Sequence, residues 1–168
     1  MTASADQLTV YTVASYRHLY AVRLFQSQLR RLPGVKVLDW TWAAAPLGLP
    51  VNKRRQWMSV GESCVTAEFC EASCGQADLM VYLGDSGKDT AVQVGMAKAI
   101  GTPVLGIAGP LEEPGLMLHS AVAAWVPGPF EAIGRIKHMA RCRLDGEADQ
   151  DCRSCLAERV CTMAENFN

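Results

Sequence analysis

The sequence predicts an α/β domain in which about five parallel strands form one doubly wound sheet between two layers of helices. Two apolar runs support this prediction. Residues 79–83 and 103–107 have no polar break, as expected for parallel strands that are buried on both faces. A single helical segment separates them, so the two runs and their connection form a β–α–β unit of the right-handed kind. The other elements extend the same alternation in both directions.

The first half of the chain contains two predicted strands. Residues 8–14 form the first strand, and residues 17–32 form a helix with apolar side chains at helical spacing. Pro33 and Gly34 end this helix, and residues 35–41 form the second strand. Residues 43–52 contain two prolines and a glycine, which predicts a loop that overhangs the sheet.

The second half contains three further strands. A helix over about 58–76 leads into the strand at 79–83, and a helix over about 90–100 leads into the strand at 103–107. A loop follows, then a weaker strand at 121–126 and a closing helix over 129–141, with Pro129 in its first turn. From Cys142 onward the sequence becomes charged and rich in cysteine. We therefore expect a main domain over 1–141 and an appended module over 142–168.

Composition narrows the class of function. The chain has 168 residues, a formal charge of -1 and a pI near 6.3, which is not the signature of a nucleic-acid-binding protein. No apolar run approaches the roughly 20 residues that a membrane span needs, and the first residues do not resemble a signal peptide. We expect a cytoplasmic protein with neither nucleic acid nor membrane as its partner.

Polar and aromatic residues follow each of the first three predicted strands. They are Ser15 and Arg17, then Asp39, Trp40 and Trp42, then Asp85, Ser86, Gly87, Asp89 and Thr90. Because the carboxyl ends of parallel strands meet at one edge of a sheet, we expect these groups to converge on a ligand. The free N–H groups at the start of the next helix favour a phosphate or another anion. The alternative is that Asp89 or Thr90 only caps this helix and Gly87 only makes the turn.

Three segments carry a resemblance to a known group of proteins. They are TVASYRH at 12–18, the pair Ala77 and Asp78 before a buried strand, and DTAVQVGMAKAIGTPV at 89–104. Together they resemble the nucleoside 2-deoxyribosyltransferase-like superfamily, which includes transferases and nucleotide N-glycosidases. The resemblance implies a flavodoxin-like sheet, a nucleoside or nucleotide ligand and a homo-oligomer with shared sites. Met117 and His119, expected in the loop after the fourth strand, are our candidates for a shared site, with loop packing as the alternative.

The chain departs from the pattern of this superfamily at three positions. Its enzymes cleave the N-glycosidic bond with a glutamate nucleophile in a segment resembling EIGYA, where this chain has QVGMA, so Gln93 occupies the position of the nucleophile. A neutral amide cannot attack an anomeric carbon as a carboxylate does. The superfamily's tyrosine on the first strand corresponds to Thr12, and its aspartate before the third strand corresponds to Cys70. The resemblance then implies ligand binding with weak or absent cleavage.

Other residues are candidates for the remaining roles. Asp85 and Asp89 are a candidate acid–base or ribose-binding pair, with turn and cap chemistry as the alternative. Glu68 or Glu71 is a candidate replacement for the lost carboxylate, with a solvated helix surface as the alternative. We expect Ser15 and Arg17 to contact a phosphate, Trp40 or Trp42 to stack on a base, and Gln93 to hydrogen-bond a sugar hydroxyl. The tryptophans have core packing as their alternative role. The three histidines belong to no motif that indicates a triad or a metal site.

Cysteines near the end of the chain suggest a metal. Cys142, Cys152, Cys155 and Cys161 supply four thiols in a short polar segment, and the two-residue gap between Cys152 and Cys155 suits ligation of one ion. We expect zinc, with an iron–sulfur cluster as the alternative metal group. A disordered tail or a redox pair are the alternatives to metal binding.

Three more cysteines, Cys64, Cys70 and Cys74, lie on the helix before the third strand. They are expected to be small buried side chains, or ligands or a reactive thiol near the pocket. Two further functions therefore stand beside nucleotide binding. One is a non-catalytic metal-carrying interaction or sensing module, and the other is an enzyme of unrelated chemistry built on Asp85, Asp89 and the cysteines.

Overall fold

A parallel sheet of five strands organises the chain. We analysed a computed structural model, which describes residues 7–43, 49–58, 61–85, 87–109 and 113–144. The strands are β1 (Leu8–Ala14), β2 (Val35–Leu38), β3 (Leu79–Leu83), β4 (Val104–Ile107) and β5 (Ala124–Val126). The helices are α1 (Leu19–Leu29), α2 (Val51–Met58), α3 (Gly61–Gln76), α4 (Lys88–Ile100), α5 (Leu116–Ala121) and α6 (Pro129–Leu144). The 3-10 turns Tyr16–His18 and Thr41–Ala43 follow β1 and β2.

The strand order is β2-β1-β3-β4-β5, and every pair is parallel. Successive side chains of a strand point to opposite faces of a sheet. In β1, Tyr11 contacts Gln93 of α4 and Thr12 contacts Gln26 of α1, so α1 and α4 cover opposite faces. Helix α6 packs beside α1, and α3 and α5 pack beside α4. The prediction of a three-layer, doubly wound α/β fold is confirmed.

The core lies on both faces of strands β1 and β3. All five residues of β3 are buried, and β1 has Leu8, Val10 and Tyr11 with no exposed surface. An uninterrupted apolar run suits this position because a central strand has no face in contact with water. Among the described helices, none is long and apolar enough to cross a lipid bilayer.

The structure corrects several expected boundaries in the first half of the chain. Strand β2 ends at Leu38 because Asp39 Oδ1 accepts a hydrogen bond from the backbone N–H of Thr41 at 2.8 Å, which turns the chain. Arg23 holds this turn by donating to the carbonyl of Thr41 at 2.9 Å. The predicted loop over 43–52 overlaps helix α2, which begins at Val51. Its prolines precede the first turn, where they do not interrupt a helix.

Three corrections concern later elements. Helix α4 begins at Lys88 with Gly87 as its N-cap, so neither Asp89 nor Thr90 caps it. The region of Met117 and His119, expected as a loop, is the short helix α5. Helix α6 continues to Leu144, so Cys142 belongs to this helix and not to a separate segment. The predicted helix ended at residue 141, where the apolar pattern ends. The last turn of α6 lies beyond that point because its side chains are only partly buried and need not be apolar.

Candidate functional site

A cavity of about 120 Å³ opens at the carboxyl ends of β1 and β3, beside the first turn of α4. The turn after β2 and one face of α3 complete its walls. The cavity is lined by Val13, Ala14, Ser15, Tyr16, Trp40, Cys70, Gly87, Asp89, Thr90 and Gln93. Five of these residues, namely Ser15, Trp40, Gly87, Asp89 and Thr90, were expected to converge because they follow strand ends, and Gln93 was expected at the site from the resemblance. The topology places them together because parallel strands end at one edge of the sheet.

Gln93, which lines the cavity, is held by a hydrogen bond to a buried tyrosine that does not itself line it. Tyr11 is 0% exposed, and its hydroxyl donates to Gln93 Oε1 at 2.7 Å. Burial raises the pKa of Tyr11 far above its ordinary value, and the neighbouring Cys70 thiol adds to the rise, so this hydroxyl keeps its proton. Because the amide oxygen of Gln93 is taken by Tyr11, the residue offers its two N–H donors to a ligand.

Two cysteines of α3 lie next to this pair. Cys70 lines the cavity, and burial raises the pKa of its thiol. Cys74 is fully buried, and its Sγ donates to the carbonyl of Cys70 at 3.2 Å, while burial raises the pKa of Cys74 to about 11. Cys70 and Cys74 are therefore neutral thiols near pH 7. The third cysteine of this helix, Cys64, is exposed and not buried. A neutral thiol is a weak nucleophile.

The first turn of α4 supplies groups that suit an anion. The N-cap of α4 is Gly87, which has no side chain. The N-cap residue therefore supplies no side-chain acceptor for the first N–H groups of the helix. Thr90 is only 2% exposed, yet its side chain lines the cavity. A Cβ built on Gly87 would lie 3.7 Å from Ser15 Oγ, which shows how closely the end of β1 approaches this turn. Backbone N–H groups and two hydroxyls thus meet at one end of the cavity.

An aromatic pair forms another wall. The indole N–H of Trp40 donates to the carbonyl of Thr12 at 2.8 Å, and the Trp40 ring packs edge-to-face on Tyr16 with 5.3 Å between centroids. Trp42 is 64% exposed, packs against Phe69 and lines no part of this cavity. Of the two tryptophans expected near a base, the structure therefore brings only Trp40 to the cavity.

An ionic cluster lies near the same ends of β1 and β3. His18 Nε2 is 2.5 Å from Asp85 Oδ1, and the Arg17 guanidinium donates to Asp85 Oδ2 at 3.3 Å. The hydrogen bond from His18 holds the pKa of Asp85 below its usual range, and Arg17 contributes to this shift. Asp85 is therefore an ionised partner of two basic side chains and does not line the cavity with Asp89. Sequence reasoning missed His18, because its partner lies 67 residues away.

Several expected ligand-binding residues lie elsewhere. Thr12 is fully buried on the opposite face of the sheet, where its hydroxyl accepts from Gln26 at 2.7 Å. Tyr11, and not Thr12, is the residue of β1 whose side chain lies beside Gln93. Asp39 caps the turn after β2 and pairs with Arg30. Ser86 lies outside the described residues.

The pair Ala77 and Asp78, which contributes to the resemblance, has a structural role. Asp78 Oδ2 accepts from the backbone N–H of Thr9 at 2.7 Å and forms an ion pair with Arg143 at 2.6 Å. It thereby joins the starts of β1 and β3 to the last turn of α6, at the edge of the sheet remote from the cavity.

A second, larger cavity of about 320 Å³ adjoins the first. The two share four lining residues, namely Tyr16, Cys70, Asp89 and Gln93. The walls of the larger cavity come from α2, α3 and α4, and its other lining residues are Trp57, Ser63, Thr66, Ala67, Glu71, Val92 and Met96. Sequence reasoning missed Trp57 because the sequence pattern did not predict helix α2, which contains it. Glu71 was considered, and the structure places it at this cavity.

The expected metal site falls mostly outside the described residues. Cys152, Cys155 and Cys161 all lie there, and the part of the chain that the structure describes contains no group of three or more metal-ligating side chains. Cys142 is on α6 with its Sγ 3.7 Å from His138 Nε2. On α5, Met117 is 81% exposed, and His119 stacks on Trp125.

Comparison with known proteins bears on the fold. No protein-family model and no curated protein sequence matches the chain. A solved 2-deoxyribosyltransferase from Bacillus psychrosaccharolyticus is similar at 18% identity, with a TM-score of 0.50 over 74% of this chain and 90% of that protein. A conserved protein from Enterococcus faecalis V583 is similar at 16% identity, with a TM-score of 0.51 over 79% of this chain and 98% of that protein.

A third similar structure is the CMP N-glycosidase BcmB of Clostridium botulinum, at 13% identity, with a TM-score of 0.45 over 76% of this chain and 97% of that protein. The first two similarities, at 18% and 16% identity, show that the chain shares the α/β fold of these proteins over most of its described length.

Proposed function

We propose that the protein binds a nucleoside or nucleotide as a divergent member of the nucleoside 2-deoxyribosyltransferase-like superfamily, and that it cleaves the N-glycosidic bond weakly or not at all. The observation that carries the proposal is the 2.7 Å hydrogen bond by which Tyr11 holds the amide of Gln93, a residue that lines the cavity. It supports the proposal because a neutral amide with two N–H donors lines the cavity in which we expect the sugar.

The proposed ligand follows from the groups around this amide. The carboxylate of Asp89 accepts hydrogen bonds from sugar hydroxyls, and the N–H groups of Gln93 donate to sugar oxygens. Ser15, Thr90 and the N-terminus of α4 lie at the other end and suit a phosphate. A sugar with an anionic group at one end fits this order of donors and acceptors.

Weak cleavage follows from the same residues. Nucleophilic attack at an anomeric carbon needs a carboxylate, and neither the Gln93 amide nor the neutral Cys70 thiol replaces it. Asp85 is engaged by His18 and Arg17 outside the cavity. Asp89 remains as the carboxyl group of the cavity for proton transfer.

Binding is tested by thermal denaturation with nucleosides, nucleoside monophosphates and ribose 5-phosphate. A ligand at 100 times its Kd stabilises the folded protein by about 2.7 kcal/mol, which raises the Tm by several degrees. The double variant Thr90→Val with Gln93→Ala should lose the shift. The matched control, Thr12→Val, changes a buried threonine on the opposite face of the sheet and should keep it. Absence of a shift in the wild type across all three ligand classes contradicts the proposal.

Cleavage is tested by the release of free base, measured by chromatography. Wild type should release base far below the roughly 1–1,000 per second of ordinary enzymes. Gln93→Glu places a carboxylate beside the Tyr11 hydroxyl and should raise the rate. Rapid turnover by the wild type would show that the cavity uses another nucleophile.

A homo-oligomer is also proposed. Exposed apolar side chains on α5, Leu116 and Met117, support it, since their burial by a neighbouring chain would remove apolar surface from water. Light scattering after size-exclusion chromatography measures the mass, and a monomer at every concentration contradicts the proposal.

We propose metal binding by the C-terminal cysteines as a second candidate function, with zinc preferred over an iron–sulfur cluster. The observation that favours it is Cys142 beside His138 on α6, since cysteine and histidine are both zinc ligands. Metal analysis compares wild type with the double variant Cys152→Ser and Cys155→Ser. A lower zinc content in the variant supports the proposal, and equal content contradicts it.

A further inference from the structure

We infer that the larger cavity is a nucleobase site that selects bases carrying an exocyclic amino group. The inference rests on the proposed function and adds to it the part of the ligand that determines specificity. It is carried by the shape of the cavity, by Trp57 and by Glu71.

The larger cavity is placed to receive the base of a ligand whose sugar occupies the smaller one. The two cavities meet at Gln93 and Asp89, the groups suited to a sugar. A volume of about 320 Å³ lies at the lower end of the range for small-molecule sites. The smaller cavity, at about 120 Å³, has hydroxyls and helix N–H groups at its far end. The base therefore points away from α4's first turn, toward α2.

The walls of the larger cavity suit a flat ring. Trp57 of α2 supplies an aromatic side chain, and Val92 and Met96 of α4 supply aliphatic groups. A nucleobase has apolar faces and a polar edge, and stacking on an aromatic side chain stabilises its binding. These side chains would contact the ring faces, and the polar edge would face the remaining wall.

Glu71 supplies the group that would recognise this edge. The described lining of the larger cavity contains two carboxyl groups, those of Asp89 and Glu71. Asp89 also lines the smaller cavity, whereas Glu71 lines only the larger one. A carboxylate accepts hydrogen bonds and does not donate them. Cytosine and adenine present an amino group to it, whereas uracil and hypoxanthine present a carbonyl oxygen at the same ring position, which a carboxylate repels. A site built for a donor rejects an analogue that lacks it.

The test measures Kd by calorimetry for two matched pairs, cytidine with uridine and adenosine with inosine. Wild type should prefer the amino member of at least one pair by about tenfold or more. Glu71→Gln should reduce this preference to about threefold or less, because an amide both donates and accepts. The control is Glu68→Gln, an exposed glutamate of the same helix that lines neither cavity, and it should keep the preference.

A second variant tests the ring faces. Trp57→Leu should weaken every nucleoside by about tenfold, while the control Trp42→Leu should leave the Kd values unchanged. Nucleoside binding without preference in either pair, or with a preference that Glu71→Gln retains, overturns the base assignment and leaves the proposed function intact. An unchanged Kd in Trp57→Leu also overturns the base assignment and leaves the proposed function intact. Absence of binding by any nucleoside or nucleotide overturns both.

Discussion

Tyr11→Phe removes the hydroxyl that fixes the amide of Gln93. The substitution leaves the ring in place, so the fully buried site keeps its packing and loses one oxygen. Its effect therefore reports the hydrogen bond and little else. We expect a lower free energy of unfolding and weaker ligand binding, because the Gln93 amide would no longer be held with its donors toward the cavity.

The magnitude follows from the surroundings of the two groups. A protein hydrogen bond contributes about 0.5–1.5 kcal/mol net, and a partner left buried without a hydrogen bond costs about 1–3 kcal/mol more. Gln93 is half-buried and lines a cavity that water can enter, so the second cost is largely avoided. We expect a loss of about 1 kcal/mol, which lowers the Tm by roughly 2–4 °C in a domain of this size.

A double-mutant cycle isolates the bond itself. Tyr11→Phe and Gln93→Ala, alone and together, are compared by urea denaturation, and the coupling free energy should be about 1 kcal/mol. Thr12→Val with Gln26→Ala is the matched cycle on the opposite face, which should show coupling without any change in ligand affinity. Additivity of the first cycle within about 0.3 kcal/mol would refute the reasoning.

Three further predictions concern single positions. Gly106→Ala should destabilise the protein by about 1–3 kcal/mol, because a Cβ would lie 2.6 Å and 2.7 Å from ring carbons of Trp125; an unchanged Tm would contradict it. Gly134→Ala in α6 should stabilise by about 0.5–1 kcal/mol in thermal denaturation, since a Cβ there meets no atom within 4 Å. The pKa of Asp85 is lowered by His18, so its contribution to stability is present above about pH 4 and lost as pH falls below it. In Asp85→Asn, the free energy of unfolding measured by urea denaturation should depend less on pH below about pH 4. A pH profile identical to that of the wild type would refute the role of the His18–Asp85 pair.

The central strands could be predicted from the sequence because their environment depends on local composition. Residues 79–83 are apolar without a break, and a segment of that kind is stable as a strand only when both faces are covered. The observed β3 has the predicted bounds, and so does β1. Strand β2 is different, because its end depends on Arg23, which reaches the turn at Thr41 from another element.

The convergence of polar groups was predictable for a similar reason. Once the strands are parallel, their ends meet at one edge, and this alone brings Ser15 and Gly87 together. The residue of β1 that pairs with Gln93 was not predictable in this way. A shift of one residue moves a side chain to the opposite face of a sheet, so the choice between Tyr11 and Thr12 required the observed register.

The side chains around position 93 form a consistent, uncharged set. An ionised carboxylate at position 93 would lie beside a buried tyrosine, and its desolvation would have to be offset by other groups. Gln93, Tyr11 and the neutral thiol of Cys70 need no such compensation, since each is uncharged and the first two satisfy each other. No charge lies on these three side chains, whereas Asp89 and the start of α4 line the same cavity as Gln93 and Cys70. The proposed binding of a nucleoside or nucleotide therefore does not require the cavity to cleave its ligand.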